Sequence, residues 1–314
     1  MKRRILEFII CPTCLPDEVS PALTAEETSD DEVIEGSLRC KRCGSSYPIR
    51  AGTASLLPAG SGVSGCKPGR YEDPDLLGAY LWSHYADLFE DPDATDAYAQ
   101  WARQLSDGAG LALETGCAPG RFTFEMAQKC GFAIGLDSSE SFISAAREIL
   151  RAGGLVFRLR EEGRIYAKRS FRLPESWNSK NVEFIVGDAQ ALPFRSGAFS
   201  CVASLNVVDR LRCPMDHLLE TNRVAKTRGA QFLLSDPFSW SEDASPPENW
   251  LGGKLDGTFL GSSLENISRL VSGSGSTIFS PPWQIAHRGA VWWKIRNHRN
   301  HFELIRSLFI KAER

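Results

Sequence analysis

Four cysteines near the start of the chain have the type and spacing of a metal site. They occur as Cys11-Pro-Thr-Cys14 and Cys40-Lys-Arg-Cys43, with 25 residues between the two pairs. A tight turn can aim both thiolates of a pair at a Zn²⁺ ion about 2.3 Å away, and a second turn completes the tetrahedron. The spacing predicts a Cys₄ zinc ribbon, the alternative being two accidental or redox pairs.

A second candidate site begins at a glycine-containing turn over residues 114–120. It reads Glu114-Thr-Gly116-Cys117-Ala-Pro-Gly120, after a short apolar run and before a helical pattern. Glycines in this position let the backbone approach a ligand closely, beside the N-terminus of the following helix. The turn therefore indicates a binding site, and a purely structural turn is the alternative.

Two carboxylates follow this turn, each at the end of a further predicted strand. Asp137 lies 21 residues after Gly116, where an acid can hold ribose hydroxyls. Asp188 and Ala189 follow the third strand, where a carboxylate can accept a hydrogen bond from an adenine amino group. Each acid alone could be a helix cap or part of a loop turn. Their order on three successive strand ends favours a nucleoside ligand.

The elements that must position these residues alternate between short apolar runs and helical patterns, which is typical of a parallel sheet covered on both faces. Ser138 or Ser139 is the expected N-cap of the second helix. Strands are predicted at residues 111–114, 132–136, 182–186, 199–205 and 231–234, and helices at 121–130, 139–150 and 214–224.

Charge is distributed unevenly along the 314 residues, although the net charge is only −3. Residues 16–36 carry eight acids and no Lys or Arg, whereas residues 151–180 and 283–314 are each +5. The small net charge excludes a polycationic nucleic-acid coat protein. The two basic segments indicate a place for an anionic group, with solvated helix faces as the alternative.

Length and composition favour a soluble chain of two domains. Residues 5–10 are the apolar part of a segment that imitates a signal peptide but has no cleavage site, so we expect a cytoplasmic protein without a membrane span. We predict a zinc ribbon at 1–58, a linker at 59–70 and a larger domain at 71–314. In the ribbon, residues 5–10 are predicted as a strand and 16–36 as a loop.

The motifs of the larger domain resemble those of the class I S-adenosylmethionine-dependent methyltransferases. The resemblance implies an α/β fold, a Rossmann-like sheet with helices on both faces. A nicotinamide enzyme is the main alternative, but Ala118 replaces the middle glycine of the fuller motif, and the Gly-Asp-Ala strand end also argues against it. The cofactor residues implied are Tyr85, Glu114, Gly116, Cys117, Gly120, Asp137, Ser138, Asp188, Ala189 and Asn206.

Residues 1–58 resemble the small zinc-ribbon domain of the tRNA-methyltransferase activator family. The resemblance rests on the two cysteine pairs and on the segment around Tyr47. It implies a structural zinc ion whose four positions are all filled by protein.

The end of the fourth strand carries Asn206, Asp209 and Arg210, which are candidates for the site of methyl transfer. Together with Trp240 and Trp250, this region resembles the C-terminal methyltransferase domain of ovothiol synthases over roughly residues 110–300. The resemblance implies a small zwitterionic acceptor, such as a thiol-bearing imidazole amino acid. Arg210 or a basic residue of 158–172 would hold its carboxylate, Asn206 and Asp209 would orient or deprotonate the nucleophile, and the tryptophans would form aromatic walls. An ion pair of Asp209 with Arg210 and core packing of the tryptophans are the alternatives.

A segment before the core, residues 80–85, resembles the lid helix of such enzymes. Tyr85 is the candidate cap over the methyl donor, and His84 is expected at the surface.

Two other functions remain open. An RNA methyltransferase would use the basic segments and the tail around Trp292 and Trp293, which interleave aromatic and basic residues as single-strand binding requires. Residues 290–295, however, alternate like a last strand. A non-enzymatic adaptor for another methyltransferase is the third possibility.

Overall fold

The computed structural model describes residues 1–58, 70–274 and 278–314. Its N-terminal part is a four-stranded antiparallel unit in which each strand pairs with the next. The strands are β1 (Ala22–Ser29), β2 (Glu32–Arg39), β3 (Ser46–Arg50) and β4 (Thr53–Leu56).

Two predictions for this unit are wrong. The expected strand at 5–10 is a short 3₁₀ helix over Arg3–Glu7, followed by a single bridge from Ile9 to Phe194. The expected loop at 16–36 contributes β1 and part of β2 instead. Asp30 turns the chain between them with a φ of 49°, a left-handed conformation that Asp tolerates. The acidic side chains that suggested a loop lie mostly on the exposed surface of this hairpin.

The larger part of the chain follows the predicted alternation. All five predicted strands and three predicted helices are present with small shifts of their ends. In chain order the elements are α1 (Pro74–Tyr85), α2 (Ala97–Ala102), β5 (Leu111–Thr115), α3 (Arg121–Ala127), β6 (Phe132–Asp137), α4 (Glu140–Ala152), β7 (Gly154–Glu162), β8 (Ile165–Arg172), β9 (Val182–Gly187), β10 (Cys201–Leu205), α5 (Pro214–Val224), β11 (Gln231–Asp236), α6 (Ser263–Val271), β12 (Gln284–His298) and β13 (His301–Glu313).

One mixed sheet of eleven strands runs through the described residues, in the order β1-β2-β3-β4-β9-β6-β5-β10-β11-β13-β12. Its centre, from β4 to β11, is parallel, and β13 then pairs antiparallel with β11. The N-terminal unit joins this sheet directly, because Ser55 and Leu56 of β4 pair with Val186 and Gly187 of β9. The predicted linker at 59–70 lies outside the described residues up to position 69.

Apolar residues of the central strands point alternately to the two faces of the sheet, as the period of two requires. Leu233 belongs to one buried cluster with Phe122 of α3, and Leu234 belongs to the other with Leu218 of α5. The second cluster also contains Tyr47 from the N-terminal unit. The sheet is therefore covered on both faces, as predicted.

The two basic segments come together although more than a hundred residues separate them. The first forms the β7–β8 hairpin and the second forms the β12–β13 hairpin. They touch where the backbone N–H of Arg299 donates to the carbonyl of Glu161 at 3.0 Å, and where Arg296 forms an ion pair with the Glu161 carboxylate at 3.0 Å. Helix α1 packs against both hairpins.

Among the described residues, no helix is both long and apolar enough to cross a membrane.

Candidate active site

The carboxyl ends of the parallel strands open into a cavity of about 440 Å³. This is the expected place for a ligand in an open α/β sheet. Helix α1 and the β12–β13 hairpin supply the facing walls. The cavity brings together Glu114, Gly116, Asp137, Ser138, Asp188, Ala189, Asn206, Asp209 and Arg210 of the predicted site residues.

The glycine turn after β5 is as tight as the motif requires. Gly116 has a φ of +67°, and a Cβ atom there would lie 2.3 Å from the Cγ2 atom of Val207. Gly120 has a φ of +87°, and its Cβ would meet the ring of Phe184 at 2.6 Å. Ala118, in place of the middle glycine, also adopts a left-handed conformation with a φ of 46°. The turn therefore keeps its shape although alanine replaces glycine at position 118. The left-handed conformation of this alanine costs about 1 kcal/mol of conformational free energy.

Asp137 is held by the glycine turn itself. Its Oδ2 atom accepts a hydrogen bond from the Ala118 N–H at 2.9 Å, and its Oδ1 atom accepts one from the Ser139 N–H at 2.9 Å. Desolvation by the surrounding protein raises the pKa of the carboxyl to about 6. Ser139, rather than Ser138, caps α4. Ser138 lines the cavity instead.

Glu114 lies at the inner end of the cavity, with 2% of its surface exposed. Its carboxyl accepts a hydrogen bond from the hydroxyl of Thr123. Burial raises the pKa of Glu114 well above its usual range, which disfavours its ionised form.

The loop after β9 is braced by a histidine that sequence reasoning missed. His217 lies on the buried side of α5, where its Nδ1 atom contacts the carbonyl of Ala189 at 3.0 Å and its Nε2 atom contacts the Ser204 hydroxyl at 2.9 Å. Asp188 accepts hydrogen bonds from the backbone and side chain of Gln190. Burial lowers the pKa of His217 to about 4. No spacing in the sequence marks this residue, because its partners belong to two other elements.

The four N-terminal cysteines form one cluster. Their Sγ atoms all lie within 4.8 Å of one another, with 3.6 Å between Cys11 and Cys43 and 3.7 Å between Cys14 and Cys40. Four sulfurs placed tetrahedrally at zinc–sulfur distance are about 3.8 Å apart. The hydroxyl of Tyr47 lies 3.0 Å from the Cys11 sulfur. The cluster is compatible with a zinc ribbon.

Comparison with known proteins agrees with both parts of this description. Residues 113–233 match the family described as a methyltransferase domain, and residues 2–52 match the family of Trm112p-like proteins. Residues 113–233 are thus similar to a methyltransferase domain. A demethylmenaquinone methyltransferase of Lactococcus lactis subsp. lactis (strain IL1403) is 31% identical over 108 residues, which are 33% of this chain. The match spans 33% of that relative's length, about a third.

Two solved structures are among those similar to the chain. One is a SAM-dependent methyltransferase from Methanosarcina mazei, 16% identical, covering 70% of this chain and 99% of that one, with a TM-score of 0.44. Another is the complex between the Haloferax volcanii Trm112 methyltransferase activator and a methyltransferase. It is 15% identical and covers 77% of this chain and 97% of that one, with a TM-score of 0.43.

The part of the cavity at the ends of β10 and β11 contains a buried pair of carboxyls. Asp209 accepts a hydrogen bond from the Ser239 N–H at 2.7 Å, and its other oxygen lies 3.2 Å from the Arg210 guanidinium. Asp236, at the end of β11, accepts one from the Phe238 N–H at 2.7 Å. Burial raises the pKa of both carboxyls. The expected ion pair of Asp209 with Arg210 is present, and both residues also line the cavity.

Asn206 connects β10 with the C-terminal hairpin. It adopts a left-handed conformation with a φ of 61°, and its Oδ1 atom accepts a hydrogen bond from Ser307 at 2.5 Å. Ser307 in turn accepts one from the indole of Trp293, which lines the cavity. This chain of contacts holds the hairpin wall against the strand end.

The structure places Trp240 and Trp250 outside the cavity. Their indoles stack on each other with ring centroids 6.0 Å apart. The Trp240 N–H donates to Ser263 and the Trp250 N–H donates to the carbonyl of Ser245. The aromatic walls of the cavity are instead Tyr71, Tyr80, Tyr98, Phe142 and Trp293.

Three predicted cofactor residues lie outside the lining of the cavity. Tyr85 is fully buried, donates from its hydroxyl to the carbonyl of Pro119 at 2.7 Å and stacks on Phe171. Cys117 and Gly120 belong to the same turn but are not lining residues.

The expectation that His84 lies at the surface is wrong, because the residue is 5% exposed and lines the cavity together with Tyr80. The sequence could not show which face of α1 is buried, because the helix packs against two hairpins that are distant in the chain.

Proposed function

We propose that this protein transfers a methyl group from S-adenosylmethionine to a small molecule held in the cavity. The observation that carries the proposal is the meeting of Glu114, Asp137 and Asp188 with the Gly116 turn around one cavity. These groups lie at the ends of three neighbouring strands, in the order that a nucleoside with an amino-acid tail requires.

The residues fit such a cofactor chemically. A side chain at position 116 would collide with Val207, so glycine is needed there, and Gly116 itself lines the cavity. Asp137 can accept hydrogen bonds from ribose hydroxyls, and the Asp188–Ala189 loop can contact adenine. When bound, S-adenosylmethionine supplies an electrophilic methyl group on a sulfonium sulfur. The chain has to exclude water and hold the acceptor atom in line with that methyl group.

The acceptor that we favour is a small zwitterion, such as a thiol- or imidazole-bearing amino acid. Arg210 lines the cavity and can hold a carboxylate in bidentate fashion. Asn206 and Asp209 lie beside it and can orient the acceptor atom. Tyr71, Tyr80 and Tyr98 provide aromatic surface that excludes water. A cavity bounded by a helix on one side and a hairpin on the other suits a small molecule better than a polymer.

We further propose that the cysteine cluster binds one structural Zn²⁺ ion and that the N-terminal unit braces the site. The pairing of Leu56 with Gly187 lies immediately before Asp188 in the chain. Stability of the metal-bound unit would thus reach the proposed adenine loop through this strand pair. A purely adaptor role is disfavoured, because the residues proposed to bind the methyl donor are assembled in the same chain.

RNA is the second candidate acceptor, and one observation favours it. The two basic hairpins meet beside the cavity through Arg299 and Glu161. Trp292 on the second hairpin is 50% exposed, with the guanidinium of Arg306 6.0 Å from its ring. A basic surface with an exposed aromatic ring is suited to stacking a base.

Three experiments test the proposal. Calorimetry with S-adenosylhomocysteine should give micromolar binding, and the absence of binding would contradict a methyltransferase function. Incubation with methyl-labelled S-adenosylmethionine and either total RNA or a panel of thiol and imidazole amino acids should label a small molecule. Label found only in RNA would reject the small-molecule acceptor and support the second candidate. An Arg210→Gln variant should raise the KM of a carboxylate acceptor with little change in cofactor binding, and Arg212→Gln is the matched control.

A further inference from the structure

His84 is a histidine in the wall of the cavity that has no assigned structural role. It lies on α1 four residues after Tyr80, so both side chains are on one face of the helix. Both line the cavity opposite the strand ends that carry Glu114 and Asp137. His84 therefore belongs to the cavity wall.

The His84 ring is buried among aromatic rings and lacks a partner for one nitrogen. Its centroid lies 4.4 Å from that of Tyr98 and 6.1 Å from that of Tyr80. Among the residues that the structure describes, no group forms a hydrogen bond with its Nδ1 atom. Leaving a buried polar atom without a partner costs about 1–3 kcal/mol. An unpartnered buried atom calls for an explanation, and a catalytic role is one of the explanations known for such groups.

His217 shows what a structural histidine in the same domain looks like. It is as deeply buried as His84, but its two ring nitrogens contact Ala189 and Ser204. Its role in holding two elements together is complete without a ligand. His84 has no equivalent set of contacts.

The surroundings of His84 keep its imidazole uncharged. Burial and the nearby positive charge of Arg121, whose guanidinium donates to the His84 carbonyl at 2.9 Å, hold its pKa well below the usual range. Burial also raises the pKa of Glu114, Tyr85 and Tyr98, which disfavours a negative charge on the acidic groups around the ring. A neutral imidazole carries one lone pair that can accept a proton.

The carboxylates that line the cavity are less available as proton acceptors. Asp137 accepts from two backbone N–H groups, and Asp188 accepts from Gln190. Asp209 accepts from a backbone N–H and is paired with Arg210. Glu303 accepts from Asn297 at 2.8 Å and is exposed to water. Each of these groups already has a hydrogen-bond donor, a cation or a solvent shell, and the Asp209 oxygen that forms no hydrogen bond within the described residues lies against Arg210.

We infer that His84 is the general base of the transfer reaction, an assignment that rests on the proposed function. The acceptor atom forms a bond to the methyl carbon as the methyl–sulfur bond breaks, and the electron pair of that bond stays on sulfur. The proton of the acceptor atom passes to the unprotonated nitrogen of His84. The resulting imidazolium returns this proton to water when the product leaves.

The experiment compares wild-type protein with His84→Ala and His84→Gln. Three quantities are measured: S-adenosylhomocysteine binding by calorimetry, steady-state kinetics with the acceptor found in the labelling panel, and the melting temperature. His84→Ala should lose at least about 100-fold in kcat, the usual contribution of a general base. Its affinity for S-adenosylhomocysteine should stay within about threefold of the wild type. Free imidazole should restore activity to His84→Ala, because the deleted side chain leaves a space of its size.

Rescue by imidazole is the readout that a structural role would not produce. His287→Gln, which alters an exposed histidine outside the cavity, is the matched control and should retain full activity.

Failure of this inference is distinguishable from failure of the proposed function. If wild-type protein binds no S-adenosylhomocysteine and labels no acceptor, the proposed function is wrong. If the wild type is active and His84→Ala keeps kcat within about threefold, or loses cofactor binding instead of kcat, the general-base role is overturned. Loss of kcat without any rescue by imidazole, in a variant that melts like the wild type, also contradicts it.

Discussion

Arg147 of α4 and Glu183 of β9 form an ion pair from which water is excluded. Their side chains are 2% and 0% exposed, and the same guanidinium reaches Glu32 of the N-terminal unit at 3.0 Å. The backbone N–H of Lys2 also donates to Glu183. One buried arginine thus connects both parts of the chain beside the strand pair that joins them.

Replacing Arg147 should destabilise the protein strongly. Arg147→Met keeps most of the side-chain volume but leaves the Glu183 carboxylate buried without its partner, which costs about 3–5 kcal/mol. Urea denaturation measures the loss. Glu32→Gln is the matched control and should cost less than about 1 kcal/mol, because Glu32 is 25% exposed. A loss below about 1 kcal/mol for Arg147→Met would show that the pair contributes little.

Metal content should depend on the cysteine cluster alone. Purified protein should contain about one zinc per chain, and Cys40→Ser should lose it, since a tetrahedral structural site needs all four ligands. Elemental analysis together with a melting curve measures both effects. Cys213→Ser should keep its zinc, because Cys213 lies outside the cluster. A folded wild-type protein free of metal would contradict the zinc site.

Cofactor affinity should decrease as the pH falls below about 6. The pKa of Asp137 is raised to about 6, and ribose hydroxyls donate hydrogen bonds better to its ionised form. Binding of S-adenosylhomocysteine should therefore weaken progressively between pH 7 and pH 5 and take place with proton release near pH 6. Calorimetry in buffers of different ionisation enthalpy measures both. Asp137→Asn should bind weakly without this pH dependence, whereas Asp75→Asn, outside the cavity, should behave as the wild type.

Stability should decrease as acid protonates His217. Its pKa is about 4 in the folded protein because of burial, against an ordinary value of 6.5. The unfolded chain therefore binds more protons between these two values, so the stabilisation is complete above pH 6.5 and is lost as the pH falls towards 4. The loss attributable to this residue should approach about 3 kcal/mol.

Denaturation curves from pH 7 to pH 4 can isolate this contribution. His217→Gln should be less stable than the wild type at pH 7, and the difference between the two should shrink with acid. The pKa of His84 is also lowered by burial. Acid should therefore change the stability difference between the wild type and the His84 variants in the same direction. A difference between wild type and His217→Gln that stays constant over this range would contradict the assignment.

Much of the candidate site could be predicted from short stretches of sequence. The two cysteine pairs, the turn at Gly116, and the acids at Asp137 and Asp188 depend on local features: a tight turn, a strand of alternating or buried residues, and the residue at which that strand ends. Parallel strands bring their carboxyl ends to one edge, so the order of these motifs along the chain was enough to place them together.

The tertiary structure alone decided what faces these strand ends. Trp240 and Trp250 are close in sequence to the site but stack on each other outside it, whereas Tyr80, His84 and Trp293 line the cavity. Which side of α1 is buried depends on how it packs against β7 and β12, and those hairpins come from remote parts of the chain.

Backbone pairing, which the side chains do not reveal, explains why the acidic segment after Cys14 forms a hairpin and why both parts of the chain share one sheet. Exposed acidic side chains look like a loop in sequence, but backbone pairing between β1 and β2 does not depend on them. The 314 residues by themselves determined the cysteine cluster and the order of the strands that carry the candidate nucleoside site. The contact of the two basic segments, the strand pair between Leu56 and Gly187, and the buried imidazole in the cavity wall arise only when distant elements pack together.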